Sequence, residues 1–258
     1  MKGLRQTKAS FIRSMRIFLR DKAIIGSSIL TPIFFLLVLP MVLFQDIPTE
    51  YMPGFRGYLT IAMVALLVMA TAMSNLPGSI ASDRDHDLYV KLSSMPVNPL
   101  YECMGRVATV FIFSGLGSMV LIVLGLTLGA EFSVVAINML TIIGIASIYT
   151  LFAVGIGLII ASFVKSESAA AHVGVALVLI FYFIGIAFPY NDLPELLQPI
   201  VRINPICIGT NMIAVLAIGE DFVGYNPFNY IDVTMMLTLT GLLFIVGLYI
   251  YGKYCWRR

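Results

Sequence analysis

Apolar and polar positions alternate along this chain in blocks of about twenty residues, a length that matches a bilayer rather than a soluble helix or strand. The runs Ala23–Phe44, Tyr58–Ile80, Val107–Leu128, Val135–Phe163, Ala169–Phe188 and Val233–Tyr251 contain no Asp, Glu, Lys or Arg. About twenty apolar residues cross a hydrocarbon core of about 30 Å. Backbone groups in lipid have no water to pair with, so each run is predicted to be a helix. A further stretch, Ile200–Ile218 (IVRINPICIGTNMIAVLAI), has the length of a span but is interrupted by Arg202, Asn204, Pro205 and Asn211. It is expected to dip into the outer leaflet and return. The fold class is therefore all-α and polytopic, with six transmembrane helices in one domain covering residues 1–258.

The polar blocks carry the topology. Residues 1–22 drawn at 100° per residue place Leu4, Phe11, Met15, Phe18 and Leu19 on one face, with Arg5, Arg13, Arg16 and Arg20 on the other. Lys8 and Ile17 fall outside that pattern. A basic amphipathic helix of this kind lies in the membrane interface, where anionic lipid adds about 1 kcal/mol per Lys or Arg. It serves as a topology anchor, or also touches a partner. Its basic stretch is too long for a signal peptide, and no small-residue cleavage site follows. Lys and Arg concentrate on the cytoplasmic side. Six spans place all but Arg56 and Arg202 of the 16 Lys and Arg on that side. A seventh span would move Lys253, Arg257 and Arg258 outward. Both termini are thus expected to be cytoplasmic, together with the connector GSIASDRDHDLYVKLSSMPVNP at residues 78–99.

That connector concentrates charge in a chain with 12% charged residues. Leu88, Tyr89 and Leu92 recur at helical spacing, Ser82 or Asp83 offers an N-cap, and Pro96 with Pro99 offers a stop. A short cytoplasmic helix is expected over residues 83–95, with Leu88 and Leu92 on one face and Arg84, Asp85 and Lys91 elsewhere. It reads either as a solvated hairpin or as a docking helix for a soluble partner.

Composition agrees with a membrane chain: 59% of residues are hydrophobic and the mean hydropathy is +0.96. Candidate chemistry is sparse. Cys103, Cys207 and Cys255 are too far apart in sequence for a metal motif, and His86 and His172 have no ligand partner at helical spacing. GLYIYGKY, residues 247–254, mimics a phosphate loop, but Tyr254 stands where such a loop needs Ser or Thr. No catalytic, cofactor or metal site is expected, and no nucleic-acid partner. The spans hold no Asp, Glu, Lys or Arg, and no His except His172 near the start of the fifth, so the energy for any transport is expected to come from outside the chain. Gly125 and Gly129 form a small-residue pair, with Gly115 and Gly117 nearby, that suits packing within the chain or between copies.

The stretch PGSIASDRDHDLYVKLSSMPVNPLYECMGR resembles the type-two permeases of ATP-binding-cassette exporters. In that family small residues lead into an acidic-basic pair, a Leu-rich turn and a Pro before the third span. Asp83-Arg84, Asp87-Leu88-Tyr89, Leu92 and Pro96 occupy those places, although the family's usual Gly-Thr is missing. LPELLQPIVRINPICIGTNMIAVLAIGE is similar to the family's segment before the last span, with Asn204-Pro205 and a closing Gly219. The family's usual late Arg is replaced by Ala214–Ala217. The resemblance implies a permease half that pairs with a second copy or a related permease. It also implies that residues 83–95 act as a coupling helix seated on a separate ATPase, which would hold the ATP and magnesium, with the N-terminal helix as a second contact. Ser, Thr, Asn and Met of the first, second and fifth spans are candidate pathway lining, for a drug, lipid or peptide. A membrane-embedded enzyme acting on lipid or peptide, or an anchor subunit that transports nothing, fits the same topology.

Overall fold

The computed structural model of the chain describes residues 2–43 and 51–256. The end of the first apolar run at Phe44, the first part of the connector after it, and Arg257 with Arg258 lie outside the described residues. Among the described residues there is no strand, and six helices are long and apolar enough to cross a membrane. In chain order the helices are α1 (Lys2–Arg20), α2 (Lys22–Val42), α3 (Met52–Asp85), α4 (Leu88–Ser93), α5 (Pro99–Thr127), α6 (Ala136–Phe163), α7 (Glu167–Gly185), α8 (Gln198–Val201), α9 (Pro205–Ala217), α10 (Glu220–Val223) and α11 (Tyr230–Cys255). The candidate spans are α2, α3, α5, α6, α7 and α11.

Helix α3 is the axis of the bundle. Of its apolar window 89% is buried, against 17% for α11, so the other helices are arranged around it. The contacts that hold it are backbone to backbone. Between Ala70 and Asn75 it widens into a π-helical turn. Gly157 of α6 lies against the carbonyl of Ala72, and Gly174 of α7 against that of Met73; a Cβ at either glycine would collide with the carbonyl. Small residues at membrane helix contacts permit this close approach. The sequence-level pair near Gly125 is used within the chain: Gly125 packs on Thr60 and Gly117 on Leu67.

A second π-helical turn, Gly26–Leu30, lies in α2 and faces the first. Asn75 donates to Ser28 Oγ at 2.5 Å, Ser27 Oγ donates to Asn75 Oδ1 at 3.2 Å, and Thr71 Oγ1 donates to Ser28 Oγ at 3.3 Å. Ser28 and Thr71 are fully buried. These polar residues of the first and second spans therefore bond one another.

The end of the bundle that carries α4 differs from the simplest reading of the sequence. Helix α3 runs on to Asp85, and α5 begins at Pro99, eight positions ahead of the apolar run at Val107. The helix expected over 83–95 is split. Asp83 to Asp85 close α3, Asp87 adopts a left-handed conformation (φ 56°), and α4 covers only Leu88–Ser93. Aspartate tolerates that conformation better than most residues, and it turns the chain here. Asn98 caps α5 by accepting from Leu100 N at 2.9 Å.

At the far end, α9 is 13 residues long and too short to cross a bilayer. Asn204 accepts from Ile206 N at 3.0 Å, Pro205 opens the first turn, and Gly219 (φ 136°) follows its end. Cys207 lies beside Gly185 and Ile218 beside Gly57, while Ser133 N donates to Ala217 O at 2.7 Å. Both ends of α9 thus sit at the same end of the bundle.

If backbone contact at the π turn holds α3, Gly174→Ala should destabilise the chain by about 2 kcal/mol, as overpacking does. Gly144→Ala, with open space around it, should leave the melting temperature in detergent within about one degree of wild type. Equal melting of the two variants would remove the glycine contact as the cause.

Candidate functional site

The end of the bundle that carries α1 and α4 encloses a polar knot. Its centre is Arg106 on α5, with 1% of its surface exposed. Glu102 stands one helical turn earlier, and Arg106 Nε donates to its Oε1 at 2.6 Å. Arg106 Nη2 donates to Asp83 Oδ2, in the last turn of α3, at 2.5 Å. Arg13 of α1 reaches the same carboxylate with both guanidinium nitrogens, Nη1 to Oδ2 at 2.9 Å and Nη2 to Oδ1. Two carboxylates and two guanidiniums are therefore neutralised together.

Tyrosines extend the knot to the last span and to α4. Tyr251 of α11 donates to Glu102 Oε2, and its hydroxyl lies 3.0 Å from that of Tyr89 on α4. Tyr89 lies under the Arg106 guanidinium at 5.8 Å from its ring centroid, and packs edge-on against Tyr251 and Trp256. Burial pushes the Tyr89 phenol well above its ordinary value, so it stays protonated in the physiological range. Ser10 Oγ of α1 donates to the carbonyl of Glu102 at 2.8 Å. Beside it, a Cβ at Gly105 would meet the Thr7 carbonyl and the Ser10 side chain at 2.6 Å, so α1 docks directly on the α5 backbone.

The knot roots α4, and the opposite side of α4 faces outward. Val90 is 40% exposed and Met95, just after the helix, is 56% exposed. Asp85, His86, Asp87, Lys91, Ser93, Ser94 and Pro96 are also exposed. The connector residues singled out in the sequence thus divide into three groups. Asp83 and Tyr89 are buried in the knot, which corrects the expectation of a free-standing surface helix: Asp83 neutralises two arginines and Tyr89 packs on aromatic rings. Leu88 and Leu92 are half-buried, so the apolar stripe read from periodicity turns toward the protein. Asp85 and Asp87 remain at the surface. Arg84 bridges elsewhere, donating to Val164 O at 2.5 Å at the end of α6.

On α1, Phe18 packs on Phe113 with ring centroids 5.4 Å apart, and Phe11 lies beside Thr109. Arg13 enters the knot, while Arg5, Arg16 and Arg20 stay exposed. Asn204, Pro205 and Gly219 belong to the far end and are not brought near these residues. Glu102, Arg106 and Tyr251 were missed in the sequence. Glu102 and Arg106 are spaced i, i+4 on a helix, a pairing signal, but they precede the apolar run and read as connector; Tyr251 carries no signal at all. Among the described residues no three His, Cys, Asp or Glu gather as metal ligands.

A family model described as ABC-2 type transporter matches residues 5–218. The match spans Arg13, Asp83, Tyr89, Glu102 and Arg106, and ends ahead of Tyr251. No curated protein matches the chain.

Removing one member of a buried ion pair leaves an uncompensated charge and costs about 3–5 kcal/mol. Arg106→Met should therefore lower the thermal stability of the purified protein far more than Asp85→Asn, whose exposed site is expected to contribute within about 0.5 kcal/mol. Similar melting temperatures for both variants would mean that the knot does not hold this end together.

Proposed function

Because the chain belongs to the ABC-2 type transporter family, whose members are transmembrane permease subunits paired with an ABC ATPase, we propose that it is the permease half of an exporter for a hydrophobic or amphipathic substrate such as a drug, lipid or peptide. The observation that carries the coupling role is the rooting of α4. A short helix with an outward face is fixed through Tyr89 to Tyr251, Glu102 and Arg106, and so to α11 and α5. Force applied to α4 has a stiff route into two spans, and into α1 through Asp83 and Arg13.

In this reading α4 is the coupling helix, the end of the bundle that carries it is cytoplasmic, and both termini lie there. ATP and magnesium bind in the partner subunit. The basic character of that end supports the orientation, since Lys and Arg concentrate in cytoplasmic segments. Two copies, or this chain and a related permease, enclose the pathway. Exposed apolar side chains on α2 and α7, among them Phe34, Leu37, Leu179 and Phe183, offer a surface for the second half and for an apolar substrate.

The docking ridge is assigned to Val90 and Met95 in place of Leu88 and Leu92. Burying one side chain of that size contributes about 1.5–3 kcal/mol, and a charge introduced there must be desolvated. Val90→Asp with Met95→Asp should abolish co-purification of the ATPase subunit and ATP-driven transport, with membrane insertion unchanged. Leu88→Asp with Leu92→Asp should lower thermal stability as well, since those side chains pack inward. Undiminished ATPase retention by the Val90/Met95 double variant would falsify the assignment of α4 as the coupling helix.

A further inference from the structure

Helix α1 presents three stripes rather than two. Phe11, Ser14 and Phe18 pack on α5; Leu4, Ile12 and Leu19 form an exposed apolar stripe, at 79%, 43% and 55% exposure; Arg5, Arg16 and Arg20 form an exposed basic stripe beside it. Along the basic stripe, between Ile12 on one side and Arg13 and Ile17 on the other, runs a shallow, wide-open groove walled by Ile12, Arg13, Arg16, Ile17 and Arg20. Arg13 already holds Asp83, whereas Arg16 and Arg20 pair with no carboxylate among the described residues. Asp21, also on the groove wall, uses Oδ1 to cap α2 by accepting from Ala23 N at 2.8 Å.

The height of the groove selects its occupant. Arg13 stands level with Arg106, which immediately precedes the apolar run of α5, because both hold Asp83. Phe18 stands level with Phe113, two turns inside that run. Arg16 and Arg20 therefore flank the first turns of a membrane span, where long basic side chains seek headgroups. We infer that this groove binds the phosphate headgroup of an anionic phospholipid, with Arg16 and Arg20 on the phosphate and Ile12 and Ile17 against the glycerol and upper acyl chain. A soluble partner protein would have to enter the membrane to reach it. The inference rests on the six spans alone and holds whichever substrate is moved.

The test uses the full-length chain in detergent, with phosphatidylglycerol and phosphatidylcholine supplied at equal mole fraction and retention read by native mass spectrometry. Wild type should retain phosphatidylglycerol preferentially, and millimolar inorganic phosphate should not displace it. Arg16→Gln with Arg20→Gln should weaken that retention roughly thirtyfold, the contribution of two surface arginines. Arg16→Lys with Arg20→Lys should keep most of it, separating loss of charge from loss of fold. Equal retention of the two lipids by wild type would overturn the proposal, as would full displacement by phosphate, which marks a free-anion site. So would a Gln double variant that loses its ATPase but keeps its lipid preference, since the groove would then face protein.

Discussion

A guanidinium with almost no surface left to water must find anions, because desolvating a charge costs several kcal/mol that only close partners offset. Arg106 imposes that requirement on everything near it. Glu102 answers from its own helix, one turn away, at no topological cost. Asp83 answers from a different helix, and this is why α3 continues past its apolar run instead of ending at Ile80. Asp83 in turn carries more negative charge than one hydrogen bond uses, and Arg13 takes the remainder, which fixes α1 against the bundle. Glu102 has a second oxygen, and Tyr251 takes it. The placement of α1, the length of α3 and the anchoring of α11 are all consequences of one buried cation.

The middle of the bundle follows a different rule. In hydrocarbon, apolar side chains gain little by leaving lipid for protein, so helices associate through close packing and hydrogen bonds. The contacts of Gly157 and Gly174 with carbonyls of the π turn, and the Ser28–Thr71–Asn75 seam, are both of that kind. A π turn costs helix regularity and recurs at functional positions. Here two such turns face each other, so α2 and α3 are joined where each is least regular. The ionic knot beside α4 and the paired π turns in mid-bundle are therefore two joints of different kinds, one ionic and one made of backbone and hydroxyl contacts.

Much of this was legible in the sequence. Six uncharged runs of bilayer length are a strong signal, because nothing in a soluble fold demands them. Asn204-Pro205 within an otherwise apolar stretch marked a helix too short to span, since Pro fixes a helix start and Asn caps it. The knot was not legible for an equally physical reason. Windows that seek uncharged runs stop at the first charge, so Glu102 and Arg106 fell into a connector although the backbone there is already helical. The stripe Leu88, Tyr89, Leu92 is an apolar face at helical spacing, and in the fold Tyr89 is buried while Leu88 and Leu92 are half-buried. A helix standing on a membrane domain has to bury its best apolar stripe in its own protein first. What remains exposed is the less conspicuous pair, Val90 and Met95.

The knot also bears on the alternative that the chain is an enzyme embedded in the membrane. Acid–base work needs a carboxylate whose proton affinity sits near the working pH, through burial away from cations or beside another carboxylate. Asp83 and Glu102 are buried, and each is held by at least one guanidinium. Tyr89 and Tyr251 spend their hydroxyls on each other and on Glu102. Among the described residues of the knot, Nη1 of Arg106 and the indole Nε1 of Trp256 lack a hydrogen-bond partner, and neither a guanidinium nitrogen nor an indole N–H is a nucleophile or a base. Groups so fully committed to one another resist displacement rather than react. They tie α4 to α3, α5 and α11 through one connected set of bonds.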